Sequence, residues 1–275
     1  MSKYIYVFLV VGLLVSNQQA LSADTYQLSM LPRYSSEEIL KRISPLAKFL
    51  SSDVQVEPYL TNNFDQYLKK LKGGTIEIGY QNPYIYALAS EAHEVIAMAV
   101  KGKSGDKFRG IIIVRSGSAI NSIRGLVGKK VSYVGPTSAG GYLSQKLTLM
   151  RAGIDVEKDL ELIEAVENKQ ENVIFAVYSG DVDAGFIRES ALGRVQKFVP
   201  ASAISVIKRT EWLPNWALSV KRDLPEVIKK TVKDNLALLT GSHPVLKALK
   251  VQKLRPADDA EYDPVRQAAG LKIKR

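Results

Sequence analysis

A short glycine-rich stretch, VSYVGPTSAGGYL, offers the clearest binding chemistry in the sequence. Its residue types predict a strand, a tight loop and a helix that begins at Gly140 or Gly141. Amides at a helix N-terminus carry partial positive charge and bind anions, and the hydroxyls of Thr137 and Ser138 add further donors. An ordinary strand-to-helix turn, with glycines for close packing, is the alternative. The Lys and Ser/Thr of a nucleotide-binding P-loop do not follow Gly140.

Two other stretches place charged or polar residues just after predicted strands. Arg33 and Tyr34 follow the first strand, and Arg188 follows the strand VDAGFI. In open α/β sheets ligands bind at the carboxyl ends of the strands, so these residues can line one cleft. The guanidinium of Arg188 can clamp an anion with two parallel hydrogen bonds, or it can pair with Glu189 at the surface.

The stretch GYQNPYIYALA and the stretch WLPNW supply further candidates for the wall of the same cleft. Gln81, Asn82 and Tyr84 lie where a buried strand gives way to a helix. Aromatic residues near a helix start are also typical of a hydrophobic core. Trp212 and Trp216 are the two tryptophans of the chain and could close one side of the cleft.

Catalytic and metal-binding chemistry finds little support. The chain has no cysteine and two histidines, His93 and His243, both of which we expect at the surface. Neither HExxH nor GxSxG occurs. The sequence therefore predicts no enzyme activity, no metal and no cofactor.

Strands alternate with helices along the chain after residue 23, starting with YQLSML and a capping box at Ser35–Glu38. Such alternation predicts parallel sheets with helical crossovers, and two successive sets of this kind predict two α/β lobes with a ligand cleft between them. A long helix and a short one near the end of the chain, over 221–250, are predicted to pack back on the first lobe.

The first 23 residues resemble a secretory signal peptide. A basic residue, an apolar run from Tyr4 to Val15 and a small, polar cleavage region follow one another. The apolar run is shorter than the roughly 20 residues that span a bilayer, although an uncleaved anchor is the alternative. We expect a mature chain that begins near Asp24 and is soluble in the periplasm.

The net charge of +10, from 38 basic and 28 acidic residues, is spread along helical stretches and the C-terminal tail. Nucleic-acid binders cluster their basic residues with stacking aromatic residues, and this sequence shows no such cluster. The sequence therefore predicts a solvated basic surface and no nucleic-acid partner.

These stretches together resemble the PhnD-like periplasmic phosphate/phosphite/phosphonate-binding proteins of ABC importers. The similarity rests on PLAKFL, KGGTIEIGYQNPYIYALA, GLVGKKVSYVGPTSAGGYL, LMRAGID and AVYSGDVDAGFI. It implies an α/β type II periplasmic-binding fold, whose two lobes close on a small oxyanion. It also implies crossover strands near 111–115 and 205–209. The implied domains are a signal peptide at 1–23, a first lobe of 24–112 plus 208–275, and a second lobe of 113–207.

The resemblance, taken with the stretches above, implies a set of ligand-binding residues. They are Arg33, Tyr34, Gln81, Asn82, Tyr84, Thr137, Ser138, Ala139, Gly140, Gly141, Tyr142 and Arg188. Ala139 and Gly140 stand where the family usually carries hydroxyl residues. Many phosphonate binders carry an aromatic residue at the position of Gln81 and a His near the position of Gln170. This sequence has neither. These departures imply a different selectivity for the anion.

Three functions remain open at this point. The first is a monomeric solute-binding protein that delivers a phosphate-like oxyanion to an ABC permease. The second is a soluble ligand-binding partner of a membrane sensor or respiratory complex. The third, a transferase of the same fold, needs an acid or base in the cleft, and the two isolated histidines argue against it.

Overall fold

The computed structural model describes residues 24–273, so the predicted signal peptide lies outside the described part of the chain. Eleven strands and nine α-helices form within that range. The strands are β1 (Tyr26–Met30), β2 (Val56–Tyr59), β3 (Ile78–Gln81), β4 (His93–Val100), β5 (Lys107–Arg115), β6 (Lys130–Tyr133), β7 (Glu161–Glu164), β8 (Ala184–Arg188), β9 (Ile204–Pro214), β10 (Ala217–Lys221) and β11 (Lys253–Arg255). The helices are α1 (Ser36–Leu50), α2 (Phe64–Lys72), α3 (Pro83–Ala89), α4 (Ser144–Arg151), α5 (Val156–Asp159), α6 (Gln170–Ser179), α7 (Glu226–Ala237), α8 (Pro244–Leu249) and α9 (Asp263–Ala268).

The strands build two separate sheets, which confirms the prediction of a two-lobed α/β fold. The first sheet has the order β11-β4-β10-β3-β1-β2, and the second has the order β7-β6-β8-β5-β9. Strands β1, β2 and β3 pair in parallel, as do β6, β7 and β8, while β10 and β5 join their sheets antiparallel. The predicted βαβ units therefore form one end of each sheet, and the antiparallel strands complete the other end.

The chain passes between the two sheets in the segments 101–106 and 215–216. Strands β5 and β9, which contain the crossovers implied near 111–115 and 205–209, lie wholly in the second sheet. They pair with each other from Lys107 opposite Pro214 to Arg115 opposite Ile204, and this long ladder holds both strands in one sheet. The lobe boundaries after 112 and before 208 stay a prediction.

Local sequence signals set the helix starts of the first lobe. The hydroxyl of Ser35 accepts a hydrogen bond from the Glu38 amide at the start of α1, and Asn63 caps α2 in the same way. Such caps satisfy backbone amides that have no partner inside the helix. The apolar face of α1 then buries Ile39, Ile43 and Leu46 against the first sheet.

The second sheet is covered on both faces. Along β5, Ile112 and Val114 pack on one side, with Leu147 of α4, while Ile111 and Ile113 pack on the other, with Val173 of α6. Successive side chains of a strand point to opposite faces, so the apolar run IIIV is the expected signature of a strand buried on both sides.

The C-terminal helix α9 contacts both lobes. It packs against α3 and α4, and Val265 lies in the same buried cluster as Leu147. The guanidinium of Arg266 is almost fully buried and pairs with Asp259 and Asp263. The end of the chain, which the implied domains assign to the first lobe, is thus also part of the second lobe's core. No helix in residues 24–273 is long and apolar enough to cross a bilayer.

A buried polar chain ties β3, β4 and β10 to α2, and it contains His93. The Tyr67 hydroxyl donates to Gln81 Oε1 at 2.7 Å, and Gln81 Nε2 donates to Ser219 Oγ at 2.9 Å. Ser219 Oγ lies 3.1 Å from His93 Nδ1, and His93 Nε2 lies 3.1 Å from the carbonyl oxygen of Leu71. His93 is completely buried, so the expectation of a surface residue was wrong. The sequence around His93 is typical of a polar loop, but in the structure it begins β4, which lies between β10 and β11 inside the first sheet.

The Leu71 carbonyl can only accept, so His93 Nε2 carries a proton, and a neutral ring then leaves Nδ1 as the acceptor for the Ser219 hydroxyl. Burial lowers the pKa of His93 to about 4, against a partial opposing effect of its backbone hydrogen bond to Leu71. The unfolded chain, with the ordinary value of 6.5, therefore binds a proton at a pH where the folded protein does not.

We expect the folded protein to lose stability as the pH falls from about 6.5 towards 4, at roughly 1.4 kcal/mol per pH unit. The free energy of unfolding, measured with urea, should therefore fall between about pH 7 and pH 5 in the wild type. This fall should be about 2 kcal/mol larger in the wild type than in His93→Gln. His243→Gln, which keeps His93, is the matched control and should behave as the wild type. An equal pH dependence in all three proteins would contradict a neutral buried His93.

Candidate functional site

A small cavity, about 40 Å³ in volume, lies where the two lobes meet beside the two crossover segments. Four of its lining residues are basic, and none is acidic. The basic residues are Arg33, Arg42, Lys101 and Arg188; the others are Met30, Tyr34, Tyr80, Ala99, Asn215, Trp216, Leu249 and Val251. Its size and charge fit a small anion.

The first lobe presents Arg33 and Arg42 to the cavity. Arg33 follows the carboxyl end of β1, and its guanidinium carbon lies 5.1 Å from the ring centre of Tyr34 and 5.6 Å from that of Trp216. Arg42 comes from α1, and its guanidinium carbon lies 4.1 Å from the ring centre of Tyr34. It also pairs with Glu38 at 2.7 Å. The aromatic faces orient both cations without neutralising them.

The second lobe presents Arg188, the last residue of β8. Its amide donates to Gln170 Oε1 at 2.7 Å, and its guanidinium carbon lies 4.2 Å from the ring centre of Phe108. A Cβ atom at Gly140 would lie 3.0 Å from the Arg188 Cβ and 3.1 Å from Phe108, so a glycine permits this approach. Glu189 pairs with Arg109 and Arg209 instead, and Arg188 is left to the cavity.

The two crossover segments supply Lys101 and Asn215. Asn215 is only 3% exposed, and its Oδ1 accepts from the Trp216 amide. Its Nδ2 atom has no hydrogen-bond partner among residues 24–273, which leaves a buried donor beside the cavity. A buried polar group without a partner is costly, and a water or an ion bound in the cavity would supply the missing partner.

The basic groups around the cavity repel one another. Burial, with added repulsion from Arg33 and Arg194, lowers the pKa of the Arg188 guanidinium to about 10. Desolvation and the charges of Arg188, Arg42 and Arg33 likewise lower the pKa of Lys101. A pKa of about 10 leaves Arg188 charged at neutral pH, so the cavity holds positive charge that an anion would neutralise.

The predicted candidates on β3 and α3 have other partners. Gln81 belongs to the buried chain of Tyr67 and Ser219 described above. The Asn82 side chain accepts from the Ile85 amide and caps α3. Tyr84 is half-buried and packs against the apolar cluster of the second lobe. These three side chains shape the surroundings of the cleft, and none lines the cavity.

The glycine-rich loop lies behind Arg188. Ser138 Oγ accepts from the Gly141 amide at 3.1 Å and so caps a π-helical turn over 139–143, which leads into α4. The Tyr142 hydroxyl donates to Glu157 Oε1 at 2.8 Å, and Thr137 is exposed. The buried residues Ala139, Gly140 and Gly141 complete the turn. The predicted loop contacts the cavity residue Arg188 through Gly140 but is not itself part of the lining.

Three predicted residues, Arg33, Tyr34 and Arg188, are brought together at the cavity. Of the two tryptophans, Trp216 lines it, whereas Trp212 is 41% exposed and stacks with Arg109. Several lining residues were not predicted from the sequence, namely Arg42, Tyr80, Lys101 and Asn215. Tyr80 and Lys101 carried a usable signal, since each lies at or just beyond the carboxyl end of a predicted strand.

No group of three or more His, Cys, Asp or Glu residues that could hold a metal ion occurs in the described range. The arrangement instead offers cationic and amide donors from both lobes and from the crossovers. Chemically, it can bind an anion by charge-assisted hydrogen bonds, which are stronger than neutral ones.

The sequence matches a family model described as "ABC transporter, phosphonate, periplasmic substrate-binding protein" over residues 28–262. A curated relative, the phosphate-import protein PhnD of Mycolicibacterium smegmatis, is 23% identical over 177 residues, which is 59% of this chain and 54% of that protein. The chain thus matches about half the length of this curated relative.

Solved structures share the fold. XAC2383 from Xanthomonas citri bound to chloride ion has a TM-score of 0.74 at 15% identity, with 90% of this chain and 96% of that chain covered. PhnD1 from Prochlorococcus marinus in complex with methylphosphonate has a TM-score of 0.70 at 18% identity, with 90% and 97% covered. The two-lobed architecture of this chain is therefore that of periplasmic binding proteins.

The repulsion at the cavity predicts a stabilising substitution. Replacing Arg188 by Met keeps the stacking on Phe108 but removes a desolvated charge. Without ligand and at low ionic strength, we expect Arg188→Met to raise the free energy of unfolding by about 1 to 2 kcal/mol. Added salt should reduce the difference in free energy of unfolding between Arg188→Met and the wild type, because it screens the repulsion. The exposed control Arg124→Met should change little, and a destabilised Arg188→Met would argue against a strained cationic cluster.

Proposed function

Because this chain belongs to the family of periplasmic substrate-binding proteins of phosphonate ABC transporters, we propose that it captures a small phosphate-, phosphite- or phosphonate-type oxyanion between its lobes. It then delivers the anion to an ABC permease in the membrane. One observation carries the proposal: four basic side chains and no acidic one line the cavity at the lobe junction.

Binding and lobe closure are coupled in this proposal. Arg33 belongs to the first lobe and Arg188 to the second, and without an anion their like charges oppose the approach of the two lobes. An anion attracts both, and it binds the closed form more tightly than the open one. A ligand with such a preference shifts the population towards closure. The crossovers at 101–106 and 215–216 are the natural hinge.

Direct contact is assigned to Arg33, Tyr34 and Arg188, with the loop from Thr137 to Tyr142 as the second-lobe wall. The packing of Gly140 against Arg188 supports this role for the loop. The positive N-terminal end of the π-helical turn that leads into α4 adds to the favourable potential for an anion. Gln81, Asn82 and Tyr84 support the site from behind, in keeping with their hydrogen bonds and packing.

The family consists of periplasmic binding proteins and not of enzymes, as the lack of a catalytic motif predicted. We propose that the apolar N-terminal segment directs export, and that the mature protein acts as a monomer without nucleic acid. The membership favours import over the alternative of a soluble partner of a membrane sensor.

The proposal is tested by calorimetric titration with methylphosphonate and with inorganic phosphate. Arg33→Met and Arg188→Met should each weaken binding by about tenfold or more, since a charged hydrogen bond contributes roughly 1.5 to 3 kcal/mol. Arg124→Met removes an exposed arginine of the second lobe and should leave the affinity unchanged.

Equal losses in all three variants would mean that only the overall charge matters, which contradicts a site at the lobe junction. An absence of heat with either anion, and with phosphite, would contradict the proposed ligand class.

A further inference from the structure

The cavity holds more positive charge than a single phosphonate group can neutralise. The charge of Arg42 is matched by Glu38, which also pairs with Lys250 at 3.1 Å. Within residues 24–273, no carboxylate lies within 4 Å of the side-chain nitrogens of Arg33, Lys101 or Arg188. Three cations therefore face a group that carries at most two negative charges.

The polar side chains that line the cavity are mostly donors. Arginine and lysine have no acceptor atom, and the Oδ1 of Asn215 is already occupied by the Trp216 amide. The buried Asn215 Nδ2 adds one more donor in need of a partner. An ammonium group on the ligand would find no carboxylate among the lining residues and would be repelled by the cations, whereas a second anionic group would find partners.

The two crossover segments bring the extra donors together. Hydrogen bonds join the segment 215–216 to the chain near both ends of the segment 101–106, since the Ala99 amide donates to the Trp216 carbonyl at 2.9 Å and the Asn215 amide donates to the Asp106 carbonyl at 2.8 Å. Lys101 lies on one segment and Asn215 on the other, and both line the cavity. The hinge therefore contributes a cationic donor and a neutral donor to the cavity, in addition to Arg33 of the first lobe and Arg188 of the second.

We propose that the ligand of this site is a short phosphonate with a second anionic group, such as a carboxylate, and without an ammonium group. This inference rests on the proposed function. The phosphonate group binds between Arg33 and Arg188, and the second anionic group binds Lys101 and Asn215 at the hinge. Lys101 and Asn215 thereby become the residues that determine specificity.

Two ligands of similar length and opposite terminal charge test this assignment. Phosphonoacetate ends in a carboxylate, 2-aminoethylphosphonate ends in an ammonium group, and methylphosphonate has neither. In calorimetric titrations of the protein at neutral pH and constant ionic strength, phosphonoacetate should bind about tenfold more tightly than methylphosphonate. 2-Aminoethylphosphonate should bind about tenfold more weakly than methylphosphonate.

A charge reversal at the hinge sharpens the test. Lys101→Glu should lower the affinity for phosphonoacetate by about a hundredfold. It should raise the affinity for 2-aminoethylphosphonate, because the charge at residue 101 changes sign. Lys103→Glu is the matched control, since Lys103 is exposed on the same segment and does not line the cavity. This control should change the affinities for all three ligands slightly and by the same factor. Asn215→Leu should lower the affinity for phosphonoacetate more than the affinity for methylphosphonate.

Two results would overturn the inference and leave the proposed function intact. One is methylphosphonate or 2-aminoethylphosphonate binding as tightly as phosphonoacetate. The other is Lys103→Glu changing the ligand preference as much as Lys101→Glu. Failure of all three phosphonates to bind would overturn the proposed function itself.

Discussion

Repulsion among the basic side chains at the lobe junction is the constraint on which the rest of the structure depends. Arg33, Lys101 and Arg188 come from different elements, and each is held near the others without a carboxylate partner in the described chain. Such a cluster costs stability in the absence of an anion, and the apolar cores of both lobes offset that cost. The aromatic rings of Tyr34, Trp216 and Phe108 hold the guanidinium groups in place and leave their charge available. The site is therefore built to gain free energy when an anion arrives.

The same constraint explains the arrangement of the crossovers. Each lobe has its own sheet and core, while the chain links them through two short segments that lie directly against the cavity. An anion that neutralises cations on both lobes and on these segments acts on the hinge itself. Helix α9 packs on α3 and α4 and so connects the lobes on another side, which limits the directions in which they can move. Binding and movement thus share the same few residues.

Much of the fold could be predicted from the sequence, because caps, glycine stops and apolar alternation act over a few residues. The Ser35 cap at the start of α1 is an example, although the Glu38 side chain bonds Arg42 and Lys250 and does not complete the predicted capping box. The site was harder to predict. Arg33 and Arg188 follow strand ends, which is a local signal. Lys101 and Asn215 line the same cavity only because two distant crossover segments are hydrogen-bonded to each other, and no local pattern reports that pairing. Gln81 had the right position along its strand, yet tertiary packing directs its side chain to Tyr67 and Ser219.

The most direct test of the account is a crystal structure of the protein in complex with methylphosphonate. The account predicts that the phosphonate oxygens lie about 2.7 to 3.0 Å from guanidinium nitrogens of both Arg33 and Arg188, with the lobes drawn together around them. A phosphonate group that contacts only one lobe, or that lies outside the cavity beside the crossovers, would contradict it.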